Sequence, residues 1–144
     1  MQRTINDTLD YIMFLTRHVR KKNVSGAILT VLLELRCPEY HEGFGYLREA
    51  IFLKYVNSDM RFGPIYRAIA EMHDVGTTSN QVEQDIRAVI GTAWANRDDE
   101  TWAYIFPEDR KGILCKPSNG RFIARCACLM ELWMECCEED CYAG

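Results

Sequence analysis

The sequence predicts an all-α fold, a compact multi-helix domain containing a helix-turn-helix. Three observations predict it. Apolar residues recur at three- and four-residue spacing in nearly every segment, and no segment shows strong strand alternation. Turn-forming residues cut that pattern into helix-sized pieces at Asn23, Cys37-Pro38, Gly63-Pro64, Val75-Gly76 and Asn96-Arg97-Asp98-Asp99. The stretch from Thr77 to Arg87 reads as a tight turn followed by a helix with a polar leading face and an apolar trailing face.

The elements follow in order. Residues 4–21 carry Ile5, Leu9, Ile12, Leu15 and Val19 at helical spacing. Arg17, Arg20, Lys21 and Lys22 close this helix and complement its dipole. Residues 25–36 form a second helix with Ile28, Val31, Leu32 and Leu35 inward, ended by Cys37-Pro38. Residues 43–57 form a third through Tyr46, Leu47, Ala50, Ile51 and Tyr55. A fourth opens at Gly63-Pro64, where proline is tolerated in the first turn, and buries Ile65, Ile69 and Met72.

Thr78 or Asn80 caps the fifth helix. Gln81 stands three residues after the first and Glu83 three after the second, so either start makes a capping box. This helix runs over about 79–95 and keeps Val82, Ile86, Ile90 and Ala93 in the core. A short helix around Trp102–Phe106 precedes a loop from Pro107 to Pro117. Ser118 then caps a last helix with Phe122, Ile123, Cys126, Met130 and Trp133 inward. Leu47, Ile51, Val82, Ile86, Ile90, Trp94, Phe122 and Met130 are the expected core.

The 144 residues, 48% of them hydrophobic, suit one domain with a real core. No apolar run approaches the roughly 18 residues of a membrane span, and Asp7 and Asp10 interrupt the amino terminus, so a soluble cytoplasmic protein is expected. The net charge of −4 is unevenly spread. Residues 1–22 hold five basic and two acidic groups, whereas residues 126–144 hold five acidic groups and no basic one. The deficit lies at the carboxyl end, which leaves a nucleic-acid face open elsewhere.

Five of the seven cysteines, Cys126, Cys128, Cys136, Cys137 and Cys141, crowd the end of the chain without zinc-knuckle spacing. Cys126, Met130, Trp133 and Cys137 share a helical stripe, so reduced core thiols are expected and no metal. His18, His41 and His73 fall in no metal or triad spacing, and Arg48-Glu49 reads as a structural polar anchor. No nucleophile, base and oxyanion constellation can be assembled, so neither an enzyme nor a cofactor is expected.

Three ordered motifs are similar to those of one family, the DNA-binding effector domain of the sporulation master response regulator (the stage-zero sporulation A type). They are Gly43-Phe44-Gly45-Tyr46-Leu47-Arg48-Glu49-Ala50-Ile51, the Thr77-Thr78, Val82-Glu83 and Ile86-Arg87 series continuing to Ala93-Trp94, and Lys116-Pro117-Ser118-Asn119 with Phe122-Ile123-Ala124. The resemblance spans about Val24 to Leu132. It implies a helix-turn-helix with a first helix at about 63–73 and a recognition helix at about 79–95. It also implies duplex DNA binding, transcription regulation and a head-to-tail homodimer on the site. The DNA-binding positions carried over are Gln81, Glu83, Gln84 and Arg87, with Lys116 near the backbone and Arg121 beside it.

The chain departs from the family where Gln81 and Gln84 replace arginine and where Asp85 replaces a small neutral residue. Arginine reads guanine, whereas glutamine suits adenine. The reading divides the chain into a helical extension (1–23), an effector-like domain (24–137) and an acidic tail (138–144). The extension is too short for the family's receiver domain, and no phosphoacceptor is assigned. Helix 4–21 is a candidate for contact with a protein partner. The function expected is sequence-specific duplex DNA binding by a transcriptional regulator. The alternative is a protein-interaction module of the same fold that has lost DNA affinity.

Overall fold

The computed structural model describes residues 5–20, 22–106 and 108–143, and side chains for all of these except 5–7 and 138–143. The described residues form seven helices and no strand. They are α1 (Ile5–His18), α2 (Val24–Glu34), α3 (Glu42–Val56), α4 (Phe62–Met72), α5 (Ser79–Ala95), α6 (Asp99–Ile105) and α7 (Asn119–Ala143). The fold is the all-α helix-turn-helix domain that the sequence predicts. None of the described helices is long and apolar enough to cross a membrane.

Helix α3 occupies the middle. It packs most extensively on α5 and α7, and also on α2 and α4. Its position follows from its composition: Gly43, Phe44, Tyr46, Leu47, Ala50 and Ile51 are all buried and cover an arc of about 160° at 100° per residue. Such a helix needs neighbours on several sides. Helix α1 lies against α6 and α7, burying Tyr11, Ile12 and Leu15. Arg125 of α7 fastens it, donating from Nε to the Ile105 carbonyl at 2.6 Å and from Nη2 to Thr8 Oγ1 at 3.2 Å. The aromatic cluster of Trp102, Phe106 and Phe122, with ring centroids 5.2–6.0 Å apart, joins α6 to α7. The Trp102 indole donates to the Leu35 carbonyl at 3.3 Å and so brings in the end of α2.

The helix ends follow local chemistry. Asn23, His41, Thr78 and Asp98 cap α2, α3, α5 and α6 with side-chain acceptors. Ser118 caps α7, its Oγ accepting from the Arg121 amide at 3.2 Å. Helix α2 stops in a paired turn: the Cys37 amide reaches the Leu32 carbonyl and the Arg36 amide the Leu33 carbonyl. That turn places Arg36 at φ 64°, a region costly for a residue with a Cβ. Its guanidinium compensates by donating to the Asn96 carbonyl at 2.7 Å, which ties the end of α2 to the end of α5.

Two expected core residues sit differently. Met72 is 58% exposed because α4 ends there, overhanging a shallow groove lined by Ile28, Phe52 and Leu53. Trp94 is half-buried: one side meets Trp102 at 5.4 Å, while the Arg97 guanidinium covers its ring at 3.7 Å. The acidic residues 138–140 continue the backbone of α7, and their side chains lie outside the described set.

The stripe Cys126, Met130, Trp133 and Cys137 is buried as a unit. Burial pushes the Cys37 thiol up to about 12, and the Cys126 thiol also rises, through burial first and then the neighbouring Cys37. Thiols in this state are poor nucleophiles. Native alkylation should therefore modify the exposed Cys115 and Cys128 first. Cys37, Cys126 and Cys137 should react only as the fold opens, roughly 100-fold slower or more. Mass spectrometry over a time course checks this, and equal rates at all five would contradict the buried stripe.

Candidate nucleic-acid interface

Helices α4 and α5 are joined by a turn over residues 73–78 whose shape is fixed from three directions. Gly76 takes φ 106°, a conformation that favours glycine. Thr78 Oγ1 accepts from the Gln81 amide at 3.1 Å and starts α5. Behind the turn, His73 Nε2 donates to Glu49 of α3 at 3.0 Å, and the Tyr46 ring meets His73 edge-on at 4.9 Å. The Tyr46 hydroxyl also lies near the Thr77 side chain. Arg48 donates to Ser25 Oγ at 2.8 Å. The Arg48-Glu49 pair is thus a polar anchor whose two charges serve different helices.

The α3–α5 crossing is unusually close. A Cβ on Gly43 would collide with the Asp85 carbonyl, and would press on Val89 Cγ2 at 2.9 Å. Glycine is required here for backbone approach. By contrast, Gly45 of the same motif faces open space.

On α5, Val82, Ile86, Val89, Ile90 and Ala93 are buried and set the helix's rotation. With about 100° per residue, the opposite face carries Gln81, Gln84, Arg87, Ala88 and Gly91. Gln81, Gln84, Arg87 and Ala88 are exposed. Glu83 and Asp85 fall on the two edges and are half-buried. Asp85 lies on the α3 side, where its charge, with burial and Glu42, raises the Tyr46 hydroxyl. Glu83 lies on the α4–α7 side and accepts from Arg87 Nη2 at 3.1 Å.

Beside that second edge is a cleft of about 530 Å³. Glu83 and Arg87 of α5, Phe62, Gly63 and Tyr66 of α4, and the segment from Lys116 to Gly120 line it. Asn119 is its keystone. Asn119 Nδ2 donates to the Glu83 carbonyl at 2.9 Å, linking α7 to α5, and the same side chain lies near the Tyr66 hydroxyl of α4. Gly120 packs under the Phe62 ring, 2.8 Å from where a Cβ would sit. The Lys116 Nζ lies beside α5, 3.5 Å from a Cβ position on Gly91.

The structure therefore brings Glu83, Arg87 and Lys116 to one cleft and places Gln81 and Gln84 on the adjoining outward face. Arg121 is exposed in the first turn of α7 and does not line the cleft. Asn119 and Tyr66 were not singled out from sequence. Asn119 stood within the Lys116–Ala124 motif, but only the tertiary fold reveals its partners 36 residues away. Among the described residues, no group of His, Cys, Asp and Glu is arranged to hold a metal ion.

An all-α domain whose second helix-turn-helix element presents a polar face fits the class of DNA-binding effector domains. The family model described as "Sporulation initiation factor Spo0A C terminal" matches residues 28–130, and the chain belongs to this family. The match takes in all three motifs and leaves α1 outside it.

The two glycines of the first motif make opposite predictions. Gly43→Ala should lower stability by about 1–3 kcal/mol, because α3 and α5 must part. Gly45→Ala should raise it by about 0.5–1 kcal/mol through helix propensity. Urea unfolding of both variants decides, and equal effects would contradict the close crossing.

Proposed function

We propose that this chain binds duplex DNA sequence-specifically through α5 and acts as a transcriptional regulator. One observation carries the reading. The outward face of α5, with Gln81, Gln84 and Arg87 exposed, is rigidly oriented by its buried face and continues into the cleft that holds Lys116. An α-helix with this profile fits a major groove. Gln81 and Gln84 approach base edges, and each can pair with adenine through its carboxamide. Arg87, Lys116 and Arg121 meet phosphates. The start of α4 has no side-chain cap, and its Phe62 and Gly63 amides, at the same cleft, favour an anion.

Asp85 does not oppose this arrangement, since it lies toward α3 rather than on the outward face. Glu83 restrains it. It neutralises Arg87 in the free protein, and Arg87 must exchange that partner for a phosphate or a base.

A second reading, an interaction module with the same fold, has one observation in its favour. Arg87 is the single cation of α5, against Glu83 and Asp85, and it is ion-paired. A helix so poor in positive charge gains little from counterion release.

Selection from random duplexes, followed by binding at several salt concentrations, separates the two. The first reading expects an adenine-containing selected site. Gln84→Arg should shift the preference toward guanine at one position, by roughly 1–3 kcal/mol. Lys116→Ala should weaken all sequences about equally and reduce the salt slope by about 1. If no selected duplex binds better than random DNA at low salt, the reader hypothesis fails and the module reading replaces it.

A further inference from the structure

Asn119 is followed by Gly120, and this is the single Asn-Gly pair in the chain. Such a pair carries its own chemistry. The glycine amide nitrogen can attack the asparagine side-chain carbonyl carbon, because no Cβ on the glycine shields it. The fold supplies two features that favour this reaction. The Gly120 N–H lies in the first turn of α7, where amides have no intrahelical acceptor. The cap does not occupy it either, since Ser118 Oγ accepts from the Arg121 amide. Asn119 itself is half-buried and lines the open cleft beside α5, within reach of water. One feature opposes the reaction. Asn119 Nδ2 donates to the Glu83 carbonyl at 2.9 Å, which turns the side chain toward α5, while the helical first turn holds the backbone.

We propose that Asn119 is a site of spontaneous deamidation, held back by the closed cleft and released when the start of α7 opens. The Gly120 nitrogen loses its proton to hydroxide and bonds to Asn119 Cγ. The bond from Cγ to Nδ2 then breaks, ammonia leaves, and a cyclic imide remains. Water adds to either imide carbonyl and opens the ring to aspartate or isoaspartate. One water enters and one ammonia departs, with no change of oxidation state.

Both products alter the cleft. In the aspartate form a carboxylate oxygen replaces the Nδ2 donor and faces the Glu83 carbonyl, so the link from α7 to α5 is lost. Helix α7 itself persists, because an acidic residue in the first turn suits the helix dipole. Glu83 and the new carboxylate together then match the two cations of the cleft, Arg87 and Lys116. In the isoaspartate form the main chain gains a methylene just before Gly120, which already packs under Phe62 without room for a Cβ. The Phe62 ring or the start of α7 must shift. Under the proposed role of α5, either product weakens duplex binding; the deamidation chemistry does not rest on that role.

The full chain is incubated at mildly alkaline pH, folded and in guanidinium chloride, and mapped by peptide mass spectrometry, with isoaspartate counted by enzymatic methylation. Asn119 should convert ahead of Asn23, Asn57, Asn80 and Asn96, and about tenfold or more faster unfolded than folded. Ser118→Ala removes the α7 cap and should speed the folded reaction by about threefold or more, leaving the unfolded rate unchanged. Asn119→Asp should stay folded by circular dichroism and bind a selected duplex at low salt about tenfold less tightly. Conversion of the other asparagines with none at Asn119, or equal rates folded and unfolded, would overturn the proposal. Full duplex affinity in Asn119→Asp would overturn its consequence for the cleft. If the unaltered chain binds no duplex, the role of α5 fails, and the mass change at Asn119 still decides the deamidation site.

Discussion

The contact on which the rest of the structure depends is the crossing of α3 over α5 at Gly43. Because no side chain intervenes, the α3 backbone rests directly on the Asp85 carbonyl and Val89. That approach lets α3 reach α5 on one side while packing on α7, α2 and α4 on the others. It also fixes the rotation of α5. Once Val82, Ile86, Val89 and Ile90 are turned inward, Gln81, Gln84 and Arg87 have only solvent to face. The helix-turn-helix is thus held from behind. The link from His73 to Glu49 and the edge-on contact of His73 with Tyr46 keep its turn on the same central helix.

A second constraint acts from the side. The Lys116–Ala124 motif is a bracket rather than a reading element. Ser118 starts α7, Asn119 bridges α7 to α5, and Gly120 admits Phe62 of α4. Their combined effect is to deliver Lys116 to the edge of α5. The positive charge that α5 lacks in its own sequence is supplied, under the proposed reading, from the neighbouring helix start. The carboxyl-terminal carboxylates that dominate the net charge belong to α7, which runs on from that start as far as Ala143.

Much of this was legible in the sequence, for reasons that differ by element. The span of α5 followed from strong local signals: a capping threonine, a 3.6-residue apolar period and a polar break at Asn96. Of the two starts that the sequence left open, Thr78 is the cap, because its hydroxyl reaches the Gln81 amide. Met72 and Trp94 were placed inward by periodicity alone. Both sit in the last turn of a helix, where the neighbouring elements have ended and the period no longer implies cover. The roles of Gly43, His73 and Asn119 depend on partners 24 to 46 residues away in sequence, and no local pattern encodes them. The positions Gln81, Gln84 and Arg87 were readable because exposure on a helix is the complement of its buried stripe. The cleft beside α5 was not, since its walls come from α4, α5 and the start of α7.

The central claim is that the outward face of α5, with Lys116 beside it, is where duplex DNA is met. The most direct measurement is an amide and side-chain NMR titration of the labelled chain with a selected duplex at low salt. The side-chain amides of Gln81 and Gln84, the Arg87 guanidinium and the Lys116 backbone amide should shift together and saturate. The amides of Asp10, Phe14 and Thr101, which lie on α1 and α6, should stay in place. Saturating shifts confined to α1, α2 or α6, or none at all along α5, would contradict it.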